Sequence, residues 1–282
     1  MATITAAAAG SWGTGATWVG GVAPISTDDV VIGVSGVVVD AVKTCASLNF
    51  TGPATKTRFL QLNANLTVSG TFTVAGNSTT NRVIIQSNTA GTARTITAAA
   101  VSLTNVDFAD ITGAGAASWT GTSLGDCGGN TGITFSPATT RYAVAAGNWS
   151  STAVWSASSG GSAGASVPLP QDNAVLNASS GVGTITVDMP RACKDLTCTG
   201  YTGTLTLGTN IRTYGSLTLA SSMSIGAAAW TWTLAGRGSA TLTSSGKTFP
   251  GWLSAEVGTV TQVDAAAASG TWSTSGATWN TA

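Results

Sequence analysis

The chain has 282 residues, of which 43% are hydrophobic and only 8% are charged, and its 11 basic residues balance its 11 acidic ones. The balanced charge offers no electrostatic attraction to nucleic acid or to an anionic membrane surface, so we expect neither nucleic-acid binding nor membrane insertion. The chain is too apolar for a disordered tail and too poor in Glu, Lys and Leu for a helical bundle, and its remaining residues are mostly Thr, Ser, Ala and Gly, so we predict an all-β protein.

The N-terminal stretch MATITAAAAGSWG (1–13) contains no positively charged region and no long apolar run. It therefore does not resemble a Sec signal peptide. No apolar run elsewhere approaches the roughly 18 residues that a membrane-spanning helix needs. We expect the product to be made and folded in a cytoplasm, wherever it later works.

A Trp-rich opening occurs twice, as SWGTGATWVGGVAPISTDDVVI (11–32) and as NWSSTAVWSASSGGSAGASVPLPQDNAVL (148–176). In both copies two Trp residues six apart precede a Pro-containing loop, an acidic or amide pair and an apolar run. The matched residues are Trp12, Trp18, Asp28 and Asp29 in the first copy, and Trp149, Trp155, Asp172 and Asn173 in the second.

Later features follow in the same order in both halves, since Asp40 closing VVVD matches Asp188 closing TVD. We predict two related modules, 1–140 and 141–265. A more widely spaced pair, Trp272 and Trp279, begins the motif again in a candidate third module at 266–282. We expect the natural chain to continue into that module.

Short segments in the second module alternate apolar side chains with Thr or Ser, as strands with one buried face do. They are TITVD (184–188), TLTL (204–207), SLTL (216–219), TWTL (231–234) and ATLT (240–243). Their irregular spacing and the scarcity of two-residue hairpin turns favour a right-handed parallel β-helix, a solenoid, in each module. The alternative is a pair of β-sandwich or jelly-roll modules.

The repeated Trp-rich opening is interpreted as a cap. A stack of coils has open ends, and large aromatic side chains can cover them at low entropic cost. Asp28 and Asp172, just ahead of an apolar strand, suit a turn in which the carboxylate accepts backbone N–H groups. The eight matched Trp, Asp and Asn residues are thus predicted to be structural.

The acidic residues provide no convincing active site. Asp28 and Asp29 are adjacent, and Asp107 and Asp110 are three apart, so in a regular strand each pair points to opposite faces. The absence of His from the sequence excludes a Ser-His-Asp site within this chain. We predict no catalytic, cofactor-binding or metal-binding residues, no cofactor, and no enzymatic activity.

Two further groups of residues are assigned mainly structural roles. Cys45, Cys127, Cys193 and Cys198 are expected to be buried, reduced thiols. The Gly-rich segment ASWTGTSLGDCGGNTGITF (117–135) is expected to cross from one module to the next.

The sequence leaves open which Trp residues are exposed enough to stack on a sugar. The candidates are Trp119, Trp230, Trp232 and Trp252, and Trp232 is favoured as a core residue.

The Trp pair, Pro loop, acidic pair and V-x-V-D strand resemble the β-helical modules of tailed-phage virion proteins and of some large bacterial surface adhesins. The segments 82–113 and 125–135 are also similar to stretches of phage tail-fibre and related structural proteins. The resemblance spans most of both modules and brings no catalytic motif with it.

This resemblance implies a structural virion protein, a tail fibre or adhesin segment that mediates host attachment. The implied partners are other virion proteins, further copies in a homo-oligomer such as a trimer, and a host surface glycan. The alternatives are a capsid decoration protein (head fibre), an adhesin at the bacterial cell surface, and a polysaccharide-degrading tailspike.

Overall fold

The computed structural model describes residues 1–52, 55–56, 58–227, 229–274 and 276–281. Within these residues the chain is all-β with almost no helix, and its stacked parallel strands form a β-solenoid of about 12 turns. The predicted parallel β-helix is therefore confirmed, and the sandwich or jelly-roll alternative is wrong. No described helix has the length and apolar character that a bilayer span requires.

The chain divides into two compact units, Met1–Ser136 (unit 1) and Pro137–Ala282 (unit 2). Each unit surrounds its own cluster of buried hydrophobic side chains. The module boundary expected between residues 140 and 141 falls inside the first strand of unit 2, Thr140–Ala143.

Unit 1 contains fourteen of the described strands, which form two sheets. The first sheet has the order β1-β3-β6-β8-β10-β12, with β5 beside β8 and β13 beside β10, and the second has the order β14-β11-β9-β7-β4-β2. The strands are β1 (Thr3–Thr5), β2 (Gly10–Ser11), β3 (Asp29–Ile32), β4 (Val37–Val39), β5 (Lys43–Cys45), β6 (Ser47–Thr51), β7 (Arg58–Leu62), β8 (Leu66–Ala75), β9 (Val83–Ser87), β10 (Arg94–Thr104), β11 (Val106–Ala109), β12 (Ile111–Gly115), β13 (Gly121–Thr122) and β14 (Gly125–Asp126).

Unit 2 has three main sheets, with the orders β17-β15-β18-β21-β24-β27-β30-β33, β16-β19-β22-β25 and β20-β23-β26-β29-β32, and a short pair β28-β31. Its strands are β15 (Thr140–Ala143), β16 (Gly147–Asn148), β17 (Trp155–Ser156), β18 (Asn173–Val175), β19 (Thr184–Val187), β20 (Arg191–Cys193), β21 (Leu196–Thr197), β22 (Thr204–Leu207), β23 (Ile211–Thr213), β24 (Leu217–Thr218), β25 (Ser224–Ile225), β26 (Thr231–Leu234), β27 (Ser239–Thr243), β28 (Thr248–Phe249), β29 (Trp252–Ala255), β30 (Thr259–Gln262), β31 (Ala267–Ala268), β32 (Trp272–Ser273) and β33 (Thr278–Thr281).

Four 3-10 helices interrupt the described strands, at Gly15–Thr17, Val19–Gly21, Thr152–Val154 and Ala178–Ser180. The first three lie in the Trp-rich openings. A 3-10 turn is short and tight, so it lets the chain reverse within these loops without adding a helix to the fold.

Strand pairing is parallel throughout the described sheets except between β15 and β17. From β18 onward in unit 2, the paired residues of successive coils lie between 19 (260 to 279) and 25 (217 to 242) positions apart. The pairings that span the second Trp-rich opening are wider, at 33 (140 to 173) and 38 (147 to 185) positions. Because side chains alternate across a strand, each coil places its apolar residues inside and its Thr and Ser outside. Leu205 and Leu207 of β22 are buried, for example, between the partly exposed Thr204 and Thr206.

The Gly-rich segment 117–135 belongs to the coils of unit 1, so its expected role as a crossover between modules is wrong. Its strands β13 and β14 pair in parallel with β10 and β11. Trp119 packs against Phe72 with ring centroids 5.9 Å apart, and Cys127 is buried. The segment therefore forms part of the last coil of unit 1.

The described residues of 266–281 extend the stack of unit 2. Their strands β31, β32 and β33 pair in parallel with β28, β29 and β30 of the preceding coil. Trp272 and Trp279 are partly buried and pack against the core of this unit.

A buried ion pair joins two coils of unit 1. Arg82 and Asp107 are 2% and 1% exposed, and Nη2 of Arg82 lies 2.6 Å from Oδ1 of Asp107. The guanidinium also donates to the side-chain and backbone oxygens of Ser123, at 3.0 Å and 2.7 Å. Asp107 is thus committed to a structural contact.

Replacing Asp107 with Asn should destabilise unit 1 by about 3–5 kcal/mol, because it leaves the charge of Arg82 buried without its counter-ion. Chemical denaturation followed by circular dichroism measures this change. The control is Arg212→Ala, which removes the more exposed pair with Glu256 and should cost less than about 1 kcal/mol. Equal losses in the two variants would contradict the structural role of Asp107.

Candidate functional site

The first cap segment (11–32) brings its two Trp side chains together beside β2 and β4 of unit 1. Trp12 directly follows β2, and its backbone N–H donates to the carbonyl of Val38 at 2.7 Å. The rings of Trp12 and Trp18 meet edge to face, with centroids 5.2 Å apart and planes at 69°. Nε1 of Trp18 donates to the carbonyl oxygen of Trp12 at 2.8 Å, and both side chains are buried.

The second cap segment (148–176) repeats this arrangement in unit 2. The N–H of Trp149 donates to the carbonyl of Thr186 at 2.8 Å. The rings of Trp149 and Trp155 lie 4.5 Å apart at 72°, and Nε1 of Trp155 donates to the carbonyl of Trp149 at 2.7 Å. Both side chains are fully buried. The residues matched in sequence thus make the same contacts.

The two caps also share an unusual feature. Nε1 of Trp12 and Nε1 of Trp149 are both buried and donate to no atom among the described residues. A buried donor without an acceptor costs about 1–3 kcal/mol. The apolar area that each indole buries is large enough to offset such a cost.

The predicted turns around Asp28 and Asp172 are formed. Asp28 accepts from the backbone N–H groups of Ile25 and Ala2, each at 3.1 Å. These two hydrogen bonds hold the pKa of Asp28 below its ordinary value. Asp172 accepts from the N–H groups of Leu169 and Thr139 at 2.8 Å and 2.7 Å. In both caps one carboxylate joins the end of the loop to the strand of the first coil.

The residues after these aspartates start the second strand of each stack. Asp29 accepts from the hydroxyl of Ser47 at 2.5 Å, on the next coil. Its carboxylate and that of Asp28 therefore have different partners, as expected for adjacent residues in an extended segment. The matching Asn173 lies opposite Thr140 in the parallel pairing of β15 with β18. Its Oδ1 is buried and accepts no hydrogen bond from the described residues.

A second carboxylate fixes each cap, and its role was not predicted. Asp40, at the end of β4, accepts from the N–H of Gly13 at 3.2 Å. Asp188, at the end of β19, accepts from the N–H and the hydroxyl of Ser150, at 2.9 Å and 2.7 Å. The sequence signal was the shared V-D ending of the two strands. In each unit this ending places the carboxylate beside the residue that follows the first Trp, Gly13 or Ser150.

The third Trp pair differs in detail. Trp272 and Trp279 also meet edge to face, with centroids 4.7 Å apart at 77°. Nε1 of Trp279, however, donates to Oε1 of Gln262 at 3.1 Å. The seven-residue spacing therefore keeps the ring contact and changes the hydrogen bond.

The acidic residues outside the caps are likewise held in structural contacts. Asp110 has a left-handed backbone with φ of 56° and accepts from the N–H of Gly91 at 3.1 Å. Asp107 faces Arg82. The left-handed backbone at Asp110 thus turns a corner of the coil, and the two aspartates bind different partners instead of forming one site. Across the described part of the chain, no three His, Cys, Asp or Glu side chains come together as a metal-binding group.

All four cysteines are buried and unbridged, as predicted. Burial raises the pKa of Cys45 and of Cys198 to about 12, and it raises the pKa of Cys193 as well. A thiol with a raised pKa stays protonated at neutral pH and is a poor nucleophile. The described thiols therefore act as small apolar side chains of the core.

The structure separates the four Trp candidates for a sugar-stacking surface. Trp119 and Trp232 are buried, at 3% and 1% exposed, and the prediction that Trp232 belongs to the core is confirmed. Trp230 and Trp252 are 42% and 58% exposed.

The comparisons with known proteins found no matching family model, curated protein or solved structure.

Replacing Trp149 with Ala should destabilise unit 2 by about 3–5 kcal/mol, since it removes a fully buried aromatic side chain. Hydrogen exchange should locate the loss, with protection falling first in β15, β16 and β18 under the cap. The matched control is Trp230→Ala, an exposed Trp of the same unit, which should change stability by about 0.5 kcal/mol or less. Uniform loss of protection across unit 2 would contradict a cap.

The lowered pKa of Asp28 predicts a pH-dependent contribution to stability. A carboxyl group whose pKa is lower in the folded chain stabilises it above the unfolded pKa, here 3.8, and this contribution is lost as pH falls through the folded pKa. The melting temperature of Asp28→Asn should therefore lie below that of the wild type at pH 7. The difference should close as pH falls to about 2. Thermal denaturation against pH measures it, and a constant difference would contradict the assignment.

Proposed function

We propose that this chain is a structural virion protein of a tailed phage, a segment of a tail fibre or adhesin that mediates attachment to the host. The observation that carries the proposal is the repetition of one capped, stacked unit. Two solenoid units with the same Trp and Asp contacts are what a fibre protein built from repeated modules would contain. The sequence resemblance to β-helical virion modules supports the same assignment.

The side chains of the described residues favour a passive role. The buried carboxylates accept backbone hydrogen bonds or face an arginine, and the thiols lie in the cores. The outward faces carry mostly Thr and Ser in place of charge. The backbone is paired on both sides through most of each stack. Such a surface and backbone suit a structural protein that works outside a cell.

The proposed partners follow from this role. They are other virion proteins, further copies of this chain in an oligomer such as a trimer, and a host surface glycan. The proposed location is the virion, after synthesis in the host cytoplasm. Bacterial surface adhesin, capsid decoration protein and polysaccharide-degrading tailspike are the competing functions.

The test is mass spectrometry of purified particles from the source, combined with immunogold labelling. We expect peptides of this chain in the particles and label on the tail. Absence from the particles would overturn the proposal, and label over the capsid would favour a decoration protein. Incubation with host polysaccharide should release no new reducing or unsaturated ends, since their appearance would indicate a tailspike.

A further inference from the structure

A large aromatic side chain stands open on one sheet face of unit 2. Trp252 begins β29 and is 58% exposed, whereas Trp232 on the neighbouring β26 points inward and is 1% exposed. Trp252 lies beside Thr231 of the coil before it. Because an exposed Trp on a strand leaves a large apolar area in water, it marks a candidate binding surface.

The ring of Trp252 is held against the sheet by a glycine of the next coil. A Cβ atom at Gly270 would lie 2.0 Å from Cδ1 and 2.5 Å from Nε1 of Trp252. The pyrrole edge of the indole therefore packs on the backbone of Gly270, and a larger residue at this position would displace the ring from where it lies.

Hydroxyl groups surround the ring. A shallow depression is lined by Trp252 and Leu253 with the polar side chains Thr231, Ser254, Thr271 and Ser273. Nε1 of Trp252 donates to no described residue, so its hydrogen is available to a ligand. We call Trp252, Thr231, Ser254, Thr271 and Ser273 the Trp252 platform.

The lining of the Trp252 platform carries no charged side chain. Glu256 follows two positions after Ser254 on the same coil, and its Oε1 lies 2.7 Å from Nη2 of Arg212. Nη1 of Arg237 lies 4.0 Å from the other oxygen of Glu256. Both arginines thus face the same carboxylate outside the platform, and the lining itself offers an anionic ligand no counter-ion.

We infer that the Trp252 platform binds a neutral polysaccharide, with a pyranose ring stacked on the indole of Trp252. A pyranose with equatorial hydroxyls has an apolar C–H face that fits an aromatic ring, and its rim of hydroxyls needs the donors and acceptors that Thr, Ser and Nε1 provide. This inference rests on the proposed function and gives its host glycan a binding site.

Isothermal titration of the full chain with cellohexaose and with chitohexaose tests the inference, with oligogalacturonate as the charged comparison. We expect binding of at least one neutral hexasaccharide and weaker binding of oligogalacturonate. Trp252→Ala should weaken binding about tenfold or more, because tenfold corresponds to about 1.4 kcal/mol, the scale of one aromatic stacking contact. Trp252→Phe, which keeps an aromatic face, should retain most of the affinity.

Two further variants test whether binding depends on the position of the Trp252 ring and whether the loss is specific to the platform. Gly270→Ala keeps Trp252 but displaces its ring, so it should weaken binding in the same direction as Trp252→Ala. Val182→Ala changes another exposed apolar residue of unit 2, 80% exposed, and should leave binding unchanged. Thermal denaturation of each variant confirms that it is folded before titration.

Failure to bind either neutral hexasaccharide, or equal binding by wild type and Trp252→Ala, would overturn the inference. Tighter binding of oligogalacturonate would overturn the assignment to a neutral chain. These results are independent of the particle experiment. If the chain binds glycan but is absent from virions, the platform stands and the virion function is overturned. If the chain is found in virions but binds no glycan, the virion function stands and the platform is overturned.

Discussion

Backbone pairing between successive coils is the constraint on which both units depend. In a parallel stack every interior strand finds its N–H and C=O partners on the coils before and after it, but the first and last coils have one open side. The sheet orders place β1 and β2 at one end of unit 1, and β16 and β17 at one end of unit 2. The strands that most need covering are therefore those that adjoin the Trp pairs.

The same device covers both openings although the loops differ in length. From the second Trp to the first aspartate there are ten positions in the first cap (18 to 28) and seventeen in the second (155 to 172). The shared contacts lie at the two ends of the loop. At one end an indole donates to the carbonyl of its partner Trp. At the other end Asp28 and Asp172 accept the N–H groups of Ala2 and Thr139, which directly precede the first strand of each unit. Between these fixed points the loop is free to vary.

The corners and caps also explain why the polar groups of this chain have structural partners. A coil turns through small residues and left-handed positions such as Asn105 and Asp110, and each turn leaves backbone donors that carboxylates satisfy. Thr and Ser face outward along the strands, where they need no partner but water. Trp252 differs from this pattern, because its large apolar ring is 58% exposed beside the Thr and Ser side chains of an outward face.

The sequence by itself determined the all-β class and the equivalence of its two Trp-rich openings, and it favoured a parallel solenoid over the sandwich alternative that the structure then excluded. Strict alternation in segments such as TLTL (204–207) assigns each side chain to one face, and the ordered repetition of Trp and Asp shows that two stretches make the same contacts. Only the tertiary structure decided that 117–135 is a coil of unit 1, that Asp40 and Asp188 hold the caps, and that Trp252 is exposed while Trp232 is buried. Those outcomes depend on which coil lies beside which, and register between coils about twenty residues apart is set by packing that no local pattern records.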